Sequence, residues 1–237
     1  MNLANILFLD IETVPQQPSF DLVSGDWKEL WIKKAEPLLR NREHETIESI
    51  YGRAGIYAEF GKIVCISCGL MQGNGEQKKL VIKSFYNDDE YLVLAEFCEL
   101  LKKWATDSVK CLCAHNGKEF DFPYLCRRMI INKMSIPSIL SISGKKPWEI
   151  NHLDTMELWK FGDFKSYTTL NLLALSLGIP TPKDDIDGSM VGDVYWKEKN
   201  LNRIAEYCQK DVVTVAQVYL RIIGDSIIKT ENIEIKV

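Results

Sequence analysis

The sequence predicts an α/β domain built on a mixed β-sheet flanked by helices. Three observations carry that reading. The chain opens on a short apolar run, residues 6–13, free of Gly and Pro, which reads as a buried strand. Two further strand-like runs, residues 62–71 and 79–85, are joined through Gln72-Gly73-Asn74-Gly75-Glu76, and its Asn-Gly pair favours a hairpin. Beyond them, helical and strand-like stretches alternate, as they do where crossover helices connect parallel strands.

Taken in order, Pro15 and Pro18 end regular structure after the first strand. Residues 26–51 are charged but contain Trp27, Leu30, Trp31, Leu38, Leu39 and Ile47, a pattern of one or two amphipathic helices interrupted at Pro37. We read residues 16–60 as a helical insertion on a single domain spanning residues 1–237. Asn87-Asp88-Asp89-Glu90 forms the capped start of a helix running to about Thr106. A buried strand over residues 109–114 leads into His115-Asn116-Gly117, and a helix begins near Phe122-Pro123 and runs to about Asn132. Residues 150–156 are strand-like, and residues 169–177 are helical, closed by Gly178 and Pro180. Asp187-Gly188-Ser189 opens another helical piece, a last long helix covers residues 201–223, and the tail after Gly224 carries no pattern. No repeat, low-complexity segment or linker interrupts the chain.

Hydrophobic residues make up 46% and charged residues 26% of the 237, which suits a globular domain with a sizeable core. No apolar run is long enough to cross a bilayer and no targeting segment is evident, so the expected location is cytoplasmic. The seven cysteines agree, since Cys65, Cys68, Cys111 and Cys113 lie inside apolar runs where reduced thiols pack as small hydrophobes. A zinc site at Cys65-x-x-Cys68 is disfavoured, because strand residues three apart face opposite sides and no second pair follows. A net charge of −4 argues against a high-affinity, non-specific DNA-coating role. It does not exclude an enzyme whose acidic ligands are offset by bound cations.

The acids with the most distinctive setting are Asp10 and Glu12, at the end of the first strand. Strand side chains alternate with a period of two, so both point the same way. Two like charges there are costly unless a hard divalent cation lies between them. Asp121 follows a buried strand within His115-Asn116-Gly117-Lys118-Glu119-Phe120-Asp121-Phe122-Pro123-Tyr124-Leu125, and ligands collect at strand ends in α/β sheets. Tyr207 and Asp211 are four apart on the last helix and share a face. Alone, the first pair equally suits a solvated strand end, and the last pair a surface helix. In order, the three motifs offer further oxygen ligands for that cation.

Together, Asp10-x-Glu12, Asn116-x-x-x-Phe120-Asp121 and Tyr207-x-x-x-Asp211 resemble the DEDD superfamily of 3′–5′ exonucleases, which have a ribonuclease H-like fold. Tyr207 marks the tyrosine subgroup (DEDDy), which includes the proofreading domains of family-B DNA polymerases; the histidine subgroup would carry His at position 206, where this chain has Glu206. The chain is most similar to stand-alone predicted exonucleases related to those domains. It departs from the pattern in the long helical stretch between the first motif and the hairpin. The resemblance implies a site in which Asp10, Glu12, Asp121 and Asp211 hold two Mg²⁺ or Mn²⁺ ions about 4 Å apart, one acidifying water and one stabilising the leaving oxygen. It also implies that Tyr207 orients the attacking water and that Thr13, Asn116 and Phe120 bind the terminal nucleotide. The expected substrate is a single-stranded 3′ end, DNA favoured, with a polymerase or repair protein as a further partner and no membrane. Two other readings are an RNA-trimming exonuclease and a non-catalytic accessory module that binds nucleic acid within a polymerase or repair complex.

Asp154 reads either as a neighbour of the site or as a helix N-cap. His115 and His152 read as structural hydrogen-bonders. Lys118, Arg127, Arg128, Lys145, Lys146 and Lys165 are candidates for phosphate contacts.

Overall fold

A computed structural model describes residues 2–73, 75–163, 165–180 and 186–236. The chain forms β1 (Ile6–Pro15), α1 (Asp26–Ala35), β2 (Gly61–Gln72), β3 (Lys79–Tyr86), α2 (Glu90–Trp104), β4 (Cys111–Ala114) and α3 (Asp121–Ile131). It continues through β5 (Leu153–Asp154), α4 (Thr155–Lys160), α5 (Leu170–Ser176), the single turn α6 (Val191–Asp193), α7 (Leu201–Ile222) and β6 (Ile233–Lys236). The six strands make one sheet in the order β5-β4-β1-β2-β3-β6. The β1–β2 and β2–β3 pairs are antiparallel, whereas β4 on β1, β5 on β4 and β6 on β3 are parallel. This is the expected mixed α/β sheet flanked by helices.

β1 lies near the middle of the sheet and is buried on both faces. Its odd residues Leu7, Leu9 and Ile11 pack with Phe97 and Leu101 of α2 and Phe122 and Leu125 of α3. Its even residues face α7: Ile6 and Phe8 meet Val212, Val215 and Tyr219, and Val14 meets Ile204 and Cys208. α7 therefore runs antiparallel to β1, its apolar stripe 204-208-212-215-219 laid along the strand with helical period. Burying a side chain such as Phe8 contributes roughly 1.5–3 kcal/mol, so the row on either side of positions 10 and 12 fixes α7 in register. Cys65 and Cys68 pack in separate clusters on the two sheet faces, which rules out their sharing an ion.

Three expectations need correction, and a fourth is narrowed. The strand predicted over residues 150–156 is only two residues long, because the Asp154 side chain caps α4 and turns the chain into a helix at Thr155. The tail forms β6, an edge strand held parallel to β3, with Lys78 buried against Ser226 and paired with Asp225. Of the one or two helices expected over residues 26–51, one forms. After Ala35 the chain makes a 3₁₀ turn (Glu36–Leu39), Asn41 adopts φ 72°, and Thr46 and Ser49 bond each other's backbone, competing with helical pairing. Regular structure resumes only as a 3₁₀ turn at Tyr51–Ile56. Finally, β1 continues to Pro15 instead of ending before it. Asn74 of the hairpin signal lies outside the described residues, although Gly73 and Gly75 flanking it both have positive φ.

The insertion has a small core of its own, with Trp31 fully buried among Tyr51, Tyr57 and Phe60. It is tied to the main core by a buried ion pair. Arg128 of α3 reaches Glu90 of α2 and donates to the Ala58 carbonyl, while Glu90 also accepts from the Ile63 N–H and Asn132. Tyr124 adds a second tie by donating to the Gly55 carbonyl at 2.7 Å. Gly61 is required beside it, since a Cβ there would overlap the Tyr124 hydroxyl and stand 2.6 Å from that carbonyl. No helix among the described residues is long and apolar enough to cross a membrane.

Candidate active site

Because even β1 residues face α7, Asp10 and Glu12 are forced into the otherwise apolar layer between strand and helix. The carboxylate oxygens of Asp10 and Glu12 and Sγ of Cys208 lie within 4.8 Å of one another. Cys208 also approaches the Asp10 carbonyl at 3.4 Å. Burial, then repulsion from Asp211 and Asp121, raises the pKa of Asp10 well above the usual carboxylate range. Glu12 is raised by burial and then by Asp10 and Asp211.

Asp121 arrives from the opposite face of the sheet. β4 pairs with β1 only over Ile6–Phe8, so beyond Phe8 this edge of β1 is open. The Ile11 N–H donates to the Asp121 carboxylate there, as does the Asp121 N–H at the start of α3. Burial still dominates, and with Asp154 and Asp211 nearby it lifts Asp121 to about 7. Asp211 stands one turn from Tyr207 on α7 and hydrogen-bonds its hydroxyl. Burial, followed by the charges of Asp211, Glu12 and Asp10, pushes the Tyr207 phenol far above its ordinary value. Strand end, helix start and helix face thus bring together all four acids and the tyrosine that the sequence singled out.

Two side-chain oxygens among the described residues are buried without a hydrogen-bond partner: Oδ2 of Asp10 and Oδ1 of Asn116. A buried, unpartnered acceptor is costly, so both atoms are set to receive a cation or a donor. An oxygen-rich donor set suits Mg²⁺ or Mn²⁺. Cys208 is a poor ligand in its protonated form, and burial and the adjacent carboxylates hold the proton on its sulfur. The residues present therefore fit a hard divalent cation.

Asn116 takes a left-handed conformation (φ 62°), held by its N–H donating to Asp154 at 2.9 Å. Asp154 also accepts from the N–H groups of Lys118, Met156 and Glu157, so it is an N-cap and a neighbour of the site at once. Phe120 packs on Tyr124 with ring centroids 5.3 Å apart and lines, with Glu12 and Thr13, a cleft of about 640 Å³. The Thr13 hydroxyl is engaged with Tyr124. The histidines are structural. His115 bonds Thr155 and the Thr168 carbonyl, and His152 accepts from the Leu112 N–H and bonds the Ile139 carbonyl, burial lowering it to about 4. Of the basic candidates, Arg128 is buried against Glu90 and Lys118 pairs with Glu157, whereas Arg127, Lys145, Lys146 and Lys165 are exposed. The sequence did not single out Trp196 or Arg53, which share the cleft with Glu12; each is remote along the chain and in no motif.

Comparison with known proteins agrees with this geometry. Residues 56–229 match a family described as "Predicted 3'-5' exonuclease related to the exonuclease domain of PolB". That stretch contains the motifs around Asp121 and Asp211; Asp10 and Glu12 precede it. No curated protein matches the chain. Among solved structures, the family B DNA polymerase from the hyperthermophilic archaeon Pyrobaculum calidifontis superposes with a TM-score of 0.50 at 17% identity, over 91% of this chain and 24% of the polymerase. The chain thus spans about a quarter of that polymerase's length, and the likeness is one of fold. With nearly three quarters of its length matched, the chain belongs to the family of predicted 3′–5′ exonucleases related to the exonuclease domain of PolB.

Proposed function

We propose that this chain is a single-domain, metal-dependent 3′–5′ exonuclease of the tyrosine subgroup, with residues 16–60 as an insertion, acting on single-stranded 3′ ends with DNA favoured. The observation that carries the proposal is the buried, unpartnered Oδ2 of Asp10 among carboxylates drawn from three separate elements. Asp10, Glu12, Asp121 and Asp211 would hold two Mg²⁺ or Mn²⁺ ions, which supply the Lewis acidity that phosphodiester hydrolysis needs.

The protein's own groups then position the reactants. Tyr207 keeps its proton at neutral pH, so it acts as a hydrogen-bonding guide for the attacking water and not as the base. Its bond to Asp211 fixes where the hydroxyl points. Oδ1 of Asn116, held by its strained backbone and Asp154, offers an acceptor to a hydroxyl of the terminal nucleotide. Phe120 gives the last base an apolar face to stack on, and such stacking tolerates any base. Thr13 shapes the cleft beside Glu12.

End-labelled oligonucleotides incubated with the purified protein test the reading. Mg²⁺- or Mn²⁺-dependent shortening from the 3′ end is expected, and Asp10→Ala should abolish it, lowering the rate at least about a hundredfold, while nucleic-acid binding persists. Absence of metal-dependent shortening on every sequence tried would refute it.

A further inference from the structure

The cleft that begins at Glu12 extends away from the acids between two walls. One wall is the insertion, contributing Arg42 and Arg53; the other is the segment before α7, contributing Trp196. The cleft includes Arg42 and Arg53, which precede the family-matched stretch beginning at residue 56. Its volume of about 640 Å³ falls in the range that encloses a ligand of one or two nucleotides.

The charges lining the cleft do not cancel evenly. Asp193 is neutralised by Lys197 at 2.8 Å, and Glu45 by Arg42 at 2.7 Å. Arg53 is exposed and has no ion-pair partner among the described residues. The Arg42–Glu45 pair is itself more than a third exposed on both sides, so it is worth little and its guanidinium can exchange to a stronger anion. Trp196 is held at one edge, its indole N–H donating to the Pro15 carbonyl at 3.1 Å, and Lys199 stands 4.7 Å from its ring centre. Cationic side chains beside an anchored aromatic platform are what a single strand needs: one group for the phosphate and one for the base.

Resting on the exonuclease reading of the site, we infer that the insertion and Trp196 form a single-strand channel leading into it, with Arg53 pairing with a backbone phosphate of a nucleotide next to the terminal one and Trp196 stacking its base. The cut end lies at the acids and the rest of the strand leaves past Arg53. The insertion is therefore a strand-holding element.

Binding measured without hydrolysis tests this. Fluorescence anisotropy of a fluorescein-labelled oligothymidylate, in EDTA over a KCl series, reads affinity and salt slope together. Arg53→Ala should weaken binding about fivefold and reduce the slope of log K against log salt by about 0.7, the value for one phosphate on a single strand. Arg53→Lys should retain most of the slope, and Trp196→Ala should weaken binding about tenfold, with Trp196→Phe restoring much of it. Lys229→Ala, a charge removed beside the far edge strand, should stay within about twofold of wild type. Unchanged affinity and slope in Arg53→Ala would overturn the channel. If the wild type binds with this dependence on Arg53 but never shortens DNA in Mn²⁺, the channel stands and the exonuclease reading falls.

Discussion

Replacing Asp121 by Asn should stabilise the metal-free protein at neutral and alkaline pH, by an amount set by where the carboxylate lies. Burial raises Asp121 from the ordinary aspartate value of 3.8 to about 7, with Asp154 and Asp211 adding to it and the Ile11 N–H only partly opposing. The folded state therefore holds this proton more tightly than the unfolded chain. Below about pH 4 both states are protonated and the group is neutral toward folding. As pH rises toward 7 the unfolded chain ionises first, and stability is lost with each step. A rise of about three pH units corresponds to roughly 4 kcal/mol, an upper value because unfolded chains are themselves partly compact. Asparagine keeps an acceptor for the Ile11 N–H but cannot ionise, so it removes the loss without removing the bond. Urea denaturation of both proteins in EDTA, from pH 5 to pH 8, measures the difference. The advantage of Asp121→Asn should widen with pH toward about 4 kcal/mol. In Mn²⁺ the gap should narrow, since a cation at a hundred times its dissociation constant stabilises the wild type by about 2.7 kcal/mol and the variant has lost a ligand. A gap that does not change with pH would refute the reasoning.

Tyr207→Phe should lower kcat about a hundredfold with little change in KM or in thermal stability, because the ring still packs and only the hydroxyl that guides the water is lost; steady-state rates on a labelled oligonucleotide check this. Arg128→Met should destabilise by about 3–5 kcal/mol in chemical denaturation, since it strands the buried carboxylate of Glu90 while replacing the aliphatic stem with similar volume. Adding Glu90→Gln to Arg128→Met should recover a substantial part of that loss, and a double variant no better than the single one would contradict it.

The legible parts of this molecule were those set by local periodicity. The alternation along β1 was enough to place Asp10 and Glu12 on one face, and the four-residue spacing of Tyr207 and Asp211 was enough to place them together on α7. Helical period and caps located α2, α3 and α7 to within a few residues. Illegible were the features decided by contacts far apart in sequence. β6 forms where β3 offers it an edge and Lys78 anchors the turn before it, and the brief alternation Ile233-Glu234-Ile235-Lys236 is too short to locate that partner. Leu38, Leu39 and Ile47 suggest that helical structure continues past Pro37, but local bonds between Thr46 and Ser49 hold a different path. Arg128 looked like a phosphate-binding cation and is instead the partner of Glu90, which only the packing of α2 against α3 could reveal. The fit of Asp121 to the open edge of β1 likewise depends on β4 ending where it does.

The claim on which the account depends is that Asp10, Glu12, Asp121 and Asp211 share divalent cations. Crystals soaked in Mn²⁺ and measured at the manganese absorption edge test it most directly. The account predicts two anomalous peaks about 4 Å apart, bounded by these four carboxylates, and their loss in Asp10→Ala. A soaked crystal with no anomalous density between β1 and α7 would contradict it.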